Sequence, residues 1–216
     1  MLVDWIRNSF FYREIIRPRR EKVGQYSAWR QRDYADQSPE MIKRSVLRRN
    51  STLGGTWVET GTYIGESTAF LALDAGKVYT IEPEKGYFER ASQRFSKTDN
   101  VTVINGTSES VLPGLLAELK GDINFWLDGH YSAGGTFKGA IDCPVEEELR
   151  AIKSNLTNYS KVSILIDDVR CFLPRNEIYP DYPSIDLLVN WARKKQIFLA
   201  RRTRHIRCTK LLNRQM

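Results

Sequence analysis

The chain has 216 residues, 41% of them hydrophobic and 27% charged. That is enough apolar material for a packed core and excludes wholesale disorder. No apolar run approaches the ~18–20 residues that cross a bilayer, and Asp4, Arg7 and Arg13 interrupt the opening stretch, against a signal peptide. Cys143, Cys171 and Cys208 form an odd, widely spaced set without a CxxC pair. They argue against a disulfide framework or a zinc site and for a reducing compartment, so the expected setting is soluble and cytoplasmic.

The net charge of +7 conceals a partition. Residues 1–50 carry 12 Lys/Arg and 6 Asp/Glu, and residues 191–216 carry 9 basic residues and no acid. The middle, 51–190, carries 12 basic and 20 acidic residues, a net −8. Basic ends of this kind either keep the surface solvated or attract an anionic partner such as nucleic acid, an acidic lipid or a phosphorylated small molecule.

Residues 1–50 mix aromatic and basic side chains (Trp5, Phe10, Phe11, Tyr12, Tyr26, Trp29, Tyr34) without alternating with strands. They read as an N-terminal helical cap or oligomerisation segment, distinct from a domain at 51–216. Leu2, Trp5, Ile6, Ser9, Arg13 and Ile16 share one helical face, suited to docking on the same domain or on a second copy rather than on a membrane.

From residue 56 short β-rich runs alternate with helical stretches. The runs are 56–60, 77–81, 101–104, 123–127 and 162–166; the helices lie near 66–75, 85–97, 108–120 and 144–157. Pro144 followed by Glu146–Glu148 is a helix start, with the missing N–H and the acids both placed where the helix dipole favours them. A further helix near 184–195 precedes runs 196–201 and 205–211, too closely linked to be parallel neighbours and therefore an antiparallel hairpin. The expectation is an α/β fold, a doubly wound and mostly parallel sheet of Rossmann type ending in that hairpin.

The segment Glu59-Thr60-Gly61-Thr62-Tyr63-Ile64-Gly65-Glu66-Ser67 puts an acid at a strand end, then two glycines four apart, then a helix. Gly61 suits the sharp turn, and Gly65 a close approach of backbone to a ligand at the helix N-terminus. The second run leads to Glu82, about 20 residues on, where an acid can hold a ribose diol. The third runs into Asn105-Gly106-Thr107-Ser108, a polar turn able to edge an adenine ring. Tyr63 stands where a GxGxxG pyrophosphate loop needs its second glycine, which disfavours NAD.

The fourth run delivers Asp128-Gly129-His130 and the fifth Asp167-Asp168. Adjacent strand ends in a parallel sheet face one crevice, so three carboxylates meet there if the strands are neighbours. Such a trio must be protonated, separated or neutralised by a cation, and oxygen-only donors favour Mg²⁺, Mn²⁺ or Ca²⁺. His130 follows in a loop, where a histidine can act as general base near neutral pH. The other histidine, His205, falls in the basic hairpin.

Glu59, Gly61 and Gly65 followed by Glu82 resemble class I S-adenosylmethionine-dependent methyltransferases. More narrowly, VETGTYIGESTAFLA resembles the first motif of the metal-dependent catechol and caffeoyl-CoA O-methyltransferases, and the three aspartates resemble the ligands of macrocin-type sugar O-methyltransferases. The likeness spans roughly residues 55–211. It implies that S-adenosylmethionine is held by Glu59, Gly61, Tyr63, Gly65, Ser67, Glu82, Gly106, Ser108 and Asp128. It implies Mg²⁺ or another divalent cation at Asp128, Asp167 and Asp168, with His130 and Asp128 catalytic. Tyr131 occupies the slot of the catechol-type lysine, which points away from a catechol.

The expected reaction is methyl transfer to a hydroxyl of a small molecule, a sugar or an anionic compound, in a pocket walled by 1–50, 131–142 and 170–183. Two alternatives remain: an RNA methyltransferase whose basic termini track phosphates, and a non-catalytic module that binds S-adenosylmethionine.

Overall fold

The structure, a computed structural model, describes residues 17–33, 38–129, 143–173, 182–195, 198–202 and 205–210, the last two segments as backbone only. The chain divides into two compact units, 1–49 and 50–216. The first contains α1 (Arg17–Gln31) and α2 (Glu40–Arg49), and buries Trp29 and Leu47.

The second unit alternates as the sequence pattern requires. In chain order it runs β1 (Thr56–Thr60), α3 (Glu66–Leu71), β2 (Lys77–Glu82), α4 (Lys85–Phe95), β3 (Val101–Asn105), α5 (Ser108–Glu118) and β4 (Gly121–Leu127). It continues with α6 (Val145–Asn155), β5 (Tyr159–Ile166), a 3-10 turn (Val169–Phe172), α7 (Ile185–Lys194), β6 (Phe198–Arg202) and β7 (His205–Lys210).

One sheet results, ordered β3-β2-β1-β4-β5-β7-β6. Strands β1 to β5 pair in parallel. β7 is antiparallel to β5 and to β6, so the expected doubly wound sheet with its closing hairpin is what forms. The strand order reverses between β1 and β4, the switch point where open α/β sheets bind ligands.

Alternation on the central strands sorts the two faces. Val58, Phe125 and Ile164 pair in one row and join the main core with Leu112 and Leu116 of α5, Leu149 and Ile152 of α6, and Leu188 and Ala192 of α7. On the rows between lie Glu59, Asn124 and Ser163, all buried. Asn124 answers its own burial: its Oδ1 accepts from Thr52 N at 2.9 Å and its Nδ2 donates to Thr52 O at 3.1 Å. Ser163 Oγ donates to Asn50 O. The 50–52 entry segment is thereby fixed to β4 and β5 by polar pairs that an apolar substitution would orphan.

α3 is shorter than the 66–75 expected. After Leu71 the chain turns, Asp74 O accepts from Gly54 N at 2.9 Å, and Gly76 N donates to Gly54 O at 3.2 Å. A side chain at 76 would put its Cβ 2.6 Å from Gly54 O, so the residues that would extend the helix are held in a turn. α6 opens with Glu146, Glu147 and Glu148 in its first turn, as the proline–acid run predicts.

Candidate functional site

Register aligns the strand ends. Ile81 pairs with Thr60, Thr60 with Leu127, and Leu127 with Ile166. The next residues of β2, β1, β4 and β5 are therefore Glu82, Gly61, Asp128 and Asp167, one row along the C-terminal edge. Backbone bonds continue the row: Gly61 N donates to Ile81 O at 3.0 Å, Asp128 N to Thr60 O at 3.2 Å and Asp167 N to Leu127 O at 3.1 Å.

Gly61 is required twice over. Its φ is +85°, and a Cβ there would lie 2.5 Å from Asp128 O. The missing side chain lets β4's exit pass directly against the turn after β1. Gly65, with φ +77°, caps α3, and the space its Cβ would fill is taken by the Phe95 ring, 2.7 Å away at Cε2. The close approach at Gly65 is thus to α4 of the same chain.

Glu59 is fully buried. Its Oε2 accepts from Thr68 Oγ1 at 2.5 Å and Thr80 Oγ1 at 2.7 Å. Thr80 Oγ1 also lies 2.6 Å from Thr62 Oγ1, so a chain of hydroxyls links β1, β2, the glycine turn and α3. Oε1 is buried without a hydrogen bond among the described residues, and so is the hydroxyl of Thr60 one position on. Burial raises the carboxyl's pKa above the usual glutamate value against the pull of the Ser67, Thr68 and Thr80 hydroxyls, and the negative charge of Asp128 adds to the rise. The hydroxyl chain escaped the sequence reading, although Thr80 two residues before Glu82 gave a signal in strand alternation.

Glu82 is 5% exposed. Its Oε2 accepts from Tyr63 N at 2.7 Å and its Oε1 from Glu84 N at 3.0 Å. Burial raises its pKa, and the two amides oppose that rise. Each oxygen retains a lone pair for a further donor. Tyr63 itself sits in the left-handed region with φ 49°, an uncommon conformation for an aromatic residue. Its side chain is half exposed and meets Tyr87 with ring centroids 4.7 Å apart, while Arg90 lies 5.9 Å from the Tyr87 ring. Tyr87 is a member of this cluster that the sequence reading missed.

Beyond β3, Gly106 N donates to Glu82 O at 3.1 Å and Asn105 Nδ2 to the same carbonyl at 2.8 Å. Gly106 has φ +151°, and a Cβ there would stand 2.8 Å from Val111. Ser108, buried at the start of α5, completes the polar turn beside Glu82. Ser67 lies in the first turn of α3, next to Glu59.

Asp128, Asp167 and Asp168 are half-buried at the ends of β4 and β5. Asp167 Oδ1 accepts from Asp168 N at 2.8 Å. Asp168 turns into the left-handed region, φ 45°, and its Oδ2 pairs with Arg170 Nη2 at 3.2 Å. Among the described residues no three His, Cys, Asp or Glu side chains assemble into a metal-holding group. As placed, these carboxylates do not fit a cation jointly: Asp168 has a guanidinium instead. His130, Tyr131 and the 131–142 loop lie outside the described residues, as do most of the 170–183 wall and residues 1–16.

No protein-family model and no curated protein sequence matches the chain. Solved structures do. A candidate methyltransferase from Streptococcus mutans, in complex with SAH, is 16% identical with a TM-score of 0.51, covering 82% of this chain and 99% of that one. The N-methyltransferase NodS from Bradyrhizobium japonicum is 11% identical with a TM-score of 0.52, covering 79% and 94%. A candidate rRNA methylase from Clostridium thermocellum is 11% identical with a TM-score of 0.53, covering 82% and 100%. No helix among the described residues is long and apolar enough to cross a membrane. Strand order, the reversed β7 and these likenesses together give the chain the class I methyltransferase fold.

Proposed function

We propose that the chain transfers a methyl group from S-adenosylmethionine to an acceptor presented at the C-terminal edge of the sheet. The observation that carries this reading is the row Glu82–Gly61–Asp128–Asp167 at the switch point, with the unmatched Oε1 of Glu59 directly behind it. A buried carboxyl oxygen and a buried hydroxyl that lack a hydrogen bond among the described residues suit a ligand rich in donors and positive charge. Glu82, already shaped by two amides, would take the ribose hydroxyls. Gly106 and Ser108 would border the adenine, and Glu59, Ser67 and Asp128 the aminoacyl and sulfonium end.

When bound, S-adenosylmethionine supplies an electrophilic methyl group whose leaving thioether needs no acid. The chain's own task is to orient the acceptor in line and accept its proton. The finer reading, which the resemblance to metal-dependent O-methyltransferases supports, is transfer to a hydroxyl of a small molecule or sugar with His130 as the base. A divalent cation at Asp128, Asp167 and Asp168 belongs to that reading. The aligned ends of β4 and β5 favour it, and the Asp168–Arg170 pair opposes it.

Calorimetric titration of the full chain with SAH tests the cofactor assignment. Binding that falls at least ~10-fold in Glu82→Ala, as lost charged hydrogen bonds require, supports it; absence of binding by the unmodified chain overturns it. Methyl-labelled S-adenosylmethionine offered with diols, sugars and RNA, with and without Mg²⁺, then identifies the acceptor.

A further inference from the structure

A second feature lies away from the row of strand ends. α6 and α7 both start from the C-terminal edge of the sheet, after β4 and β5, and run back toward the opposite edge. Between them is a groove of about 590 Å³. Leu149, Leu187 and Trp191 form its apolar floor, and Lys153, Lys194 and Lys195 flank one end. That end is formed by the last turn of each helix, since Lys153 and Lys194 are last-turn residues. Glu146 and Asp186 line the other end, at the helix starts.

Lysines at helix C-termini satisfy the helix dipole, and nothing more would be needed if they stood alone. Two further facts set these apart. No carboxylate among the described residues pairs with Lys153, Lys194 or Lys195, whereas Arg150 beside them is held by Glu147 at 3.1 Å. The half-buried indole of Trp191 also lies in the same groove, next to the exposed amide side chain of Asn190. Cations around an aromatic surface are how proteins hold single-stranded nucleic acid, phosphates on the lysines and a base against the ring. The sequence extends the positive charge: from Arg193 onward the chain carries nine basic residues and no acid, and α7 leads into β6 and β7.

We infer that the lysine end of the α6–α7 groove is a docking site for single-stranded RNA, with Trp191 stacking on a base. This site is separate from the candidate methyl-transfer site, and its occupancy needs no S-adenosylmethionine. It would hold an RNA acceptor if the acceptor is RNA, and an RNA partner otherwise.

Fluorescence anisotropy of a labelled 12-residue oligouridine with the full chain provides the test. Lys153→Glu with Lys194→Glu should weaken binding at least ~10-fold at low salt and flatten the salt dependence by about 1.4 in log–log slope, about 0.7 per lost contact. Trp191→Leu should weaken binding about fivefold or more with an unchanged slope. SAH affinity, measured in parallel, should remain that of the unmodified chain for each variant, so failure here is distinguishable from failure of the methyl-transfer reading. If Trp191→Leu melts early, Lys153→Gln with Lys194→Gln gives the same slope test without touching the floor. The inference falls if the unmodified chain does not bind, if the lysine variants bind equally well, or if only Arg201→Glu with Arg207→Glu abolishes binding. It also falls if polyglutamate competes as well as RNA, which would mark an acidic-protein surface.

Discussion

The backbone amide of Tyr63 donates to Glu82 Oε2 at 2.7 Å, so the acid ending β2 holds in place the turn that follows β1. Glu84 N binds the other oxygen at 3.0 Å, which makes one carboxylate the anchor for two loops. Glu82→Ala leaves both amides without that acceptor in a nearly buried place, a loss of ~1–3 kcal/mol. Chemical denaturation should show that loss together with the weakened SAH binding. Glu82→Gln keeps one oxygen and should recover part of the stability. Equal stability of Glu82→Ala and the unmodified chain would show that the turn is held by other contacts.

Two glycines with left-handed backbones offer a matched comparison. Gly54 has φ +73° and open space where a Cβ would go; Gly61 has φ +85° and the Asp128 carbonyl 2.5 Å from that point. Gly54→Ala should lose only the ~1–2 kcal/mol of the left-handed conformation. Gly61→Ala adds a clash between two backbones and should lose ~4 kcal/mol or more. Urea titrations of both variants measure the difference; similar values would mean that β4's exit can move away from the turn.

The alternation of strands and helices was legible because each element carries its own period, and the reversed last strand because the link 202–204 is too short for a crossover. The shortening of α3 was not: it depends on Gly54 and Gly76, which meet only after folding. The site divides in the same way. Gly61, Glu82, Asp128 and Asp167 announce themselves as residues at strand ends, but their alignment in one row is a matter of register, which no single segment encodes. The sequence offers Gly65 as a point of close approach between backbone and a ligand; in the fold the position of its missing Cβ lies against the Phe95 ring. The sequence places Asp168 among three acids at neighbouring strand ends, and in the fold its backbone is left-handed and its carboxylate pairs with Arg170. Thr62, Thr68 and Tyr87 carry little signal, and Thr80 only its place in the strand alternation, because their roles arise from contacts between elements.

Glu59 imposes a pH dependence whose sign follows from its burial. Its pKa in the folded chain is raised, so the folded state holds this proton at a pH where the unfolded chain has released it. The contribution is complete below the unfolded value near 4.5 and is lost as pH rises through the folded one. Glu59→Gln keeps a neutral, hydrogen-bonding side chain and should be the more stable form at neutral pH, with weaker SAH binding. Its stability should also decline less between acidic and neutral pH. A residual slope of the same sign is expected from Glu82, also raised. Melting curves of the two proteins across that range that run parallel would remove Glu59 as its source.

The buried thiols should be inert in the folded protein. Cys143 and Cys171 are both free and buried. Burial pushes the Cys143 thiol up to about 12, and burial, with Asp168 nearby, raises that of Cys171 as well. Thiolate is the reactive form, so at pH 8 iodoacetamide should modify neither at an appreciable rate while the fold is intact. Both should react at the rate of global opening, accelerating together as denaturant is added. Peptide mapping of timed samples separates them from Cys208. If Cys143 alone reacts early, the segment entering α6, where Cys143 stands two residues ahead of the helix, opens locally at a lower free energy than the core.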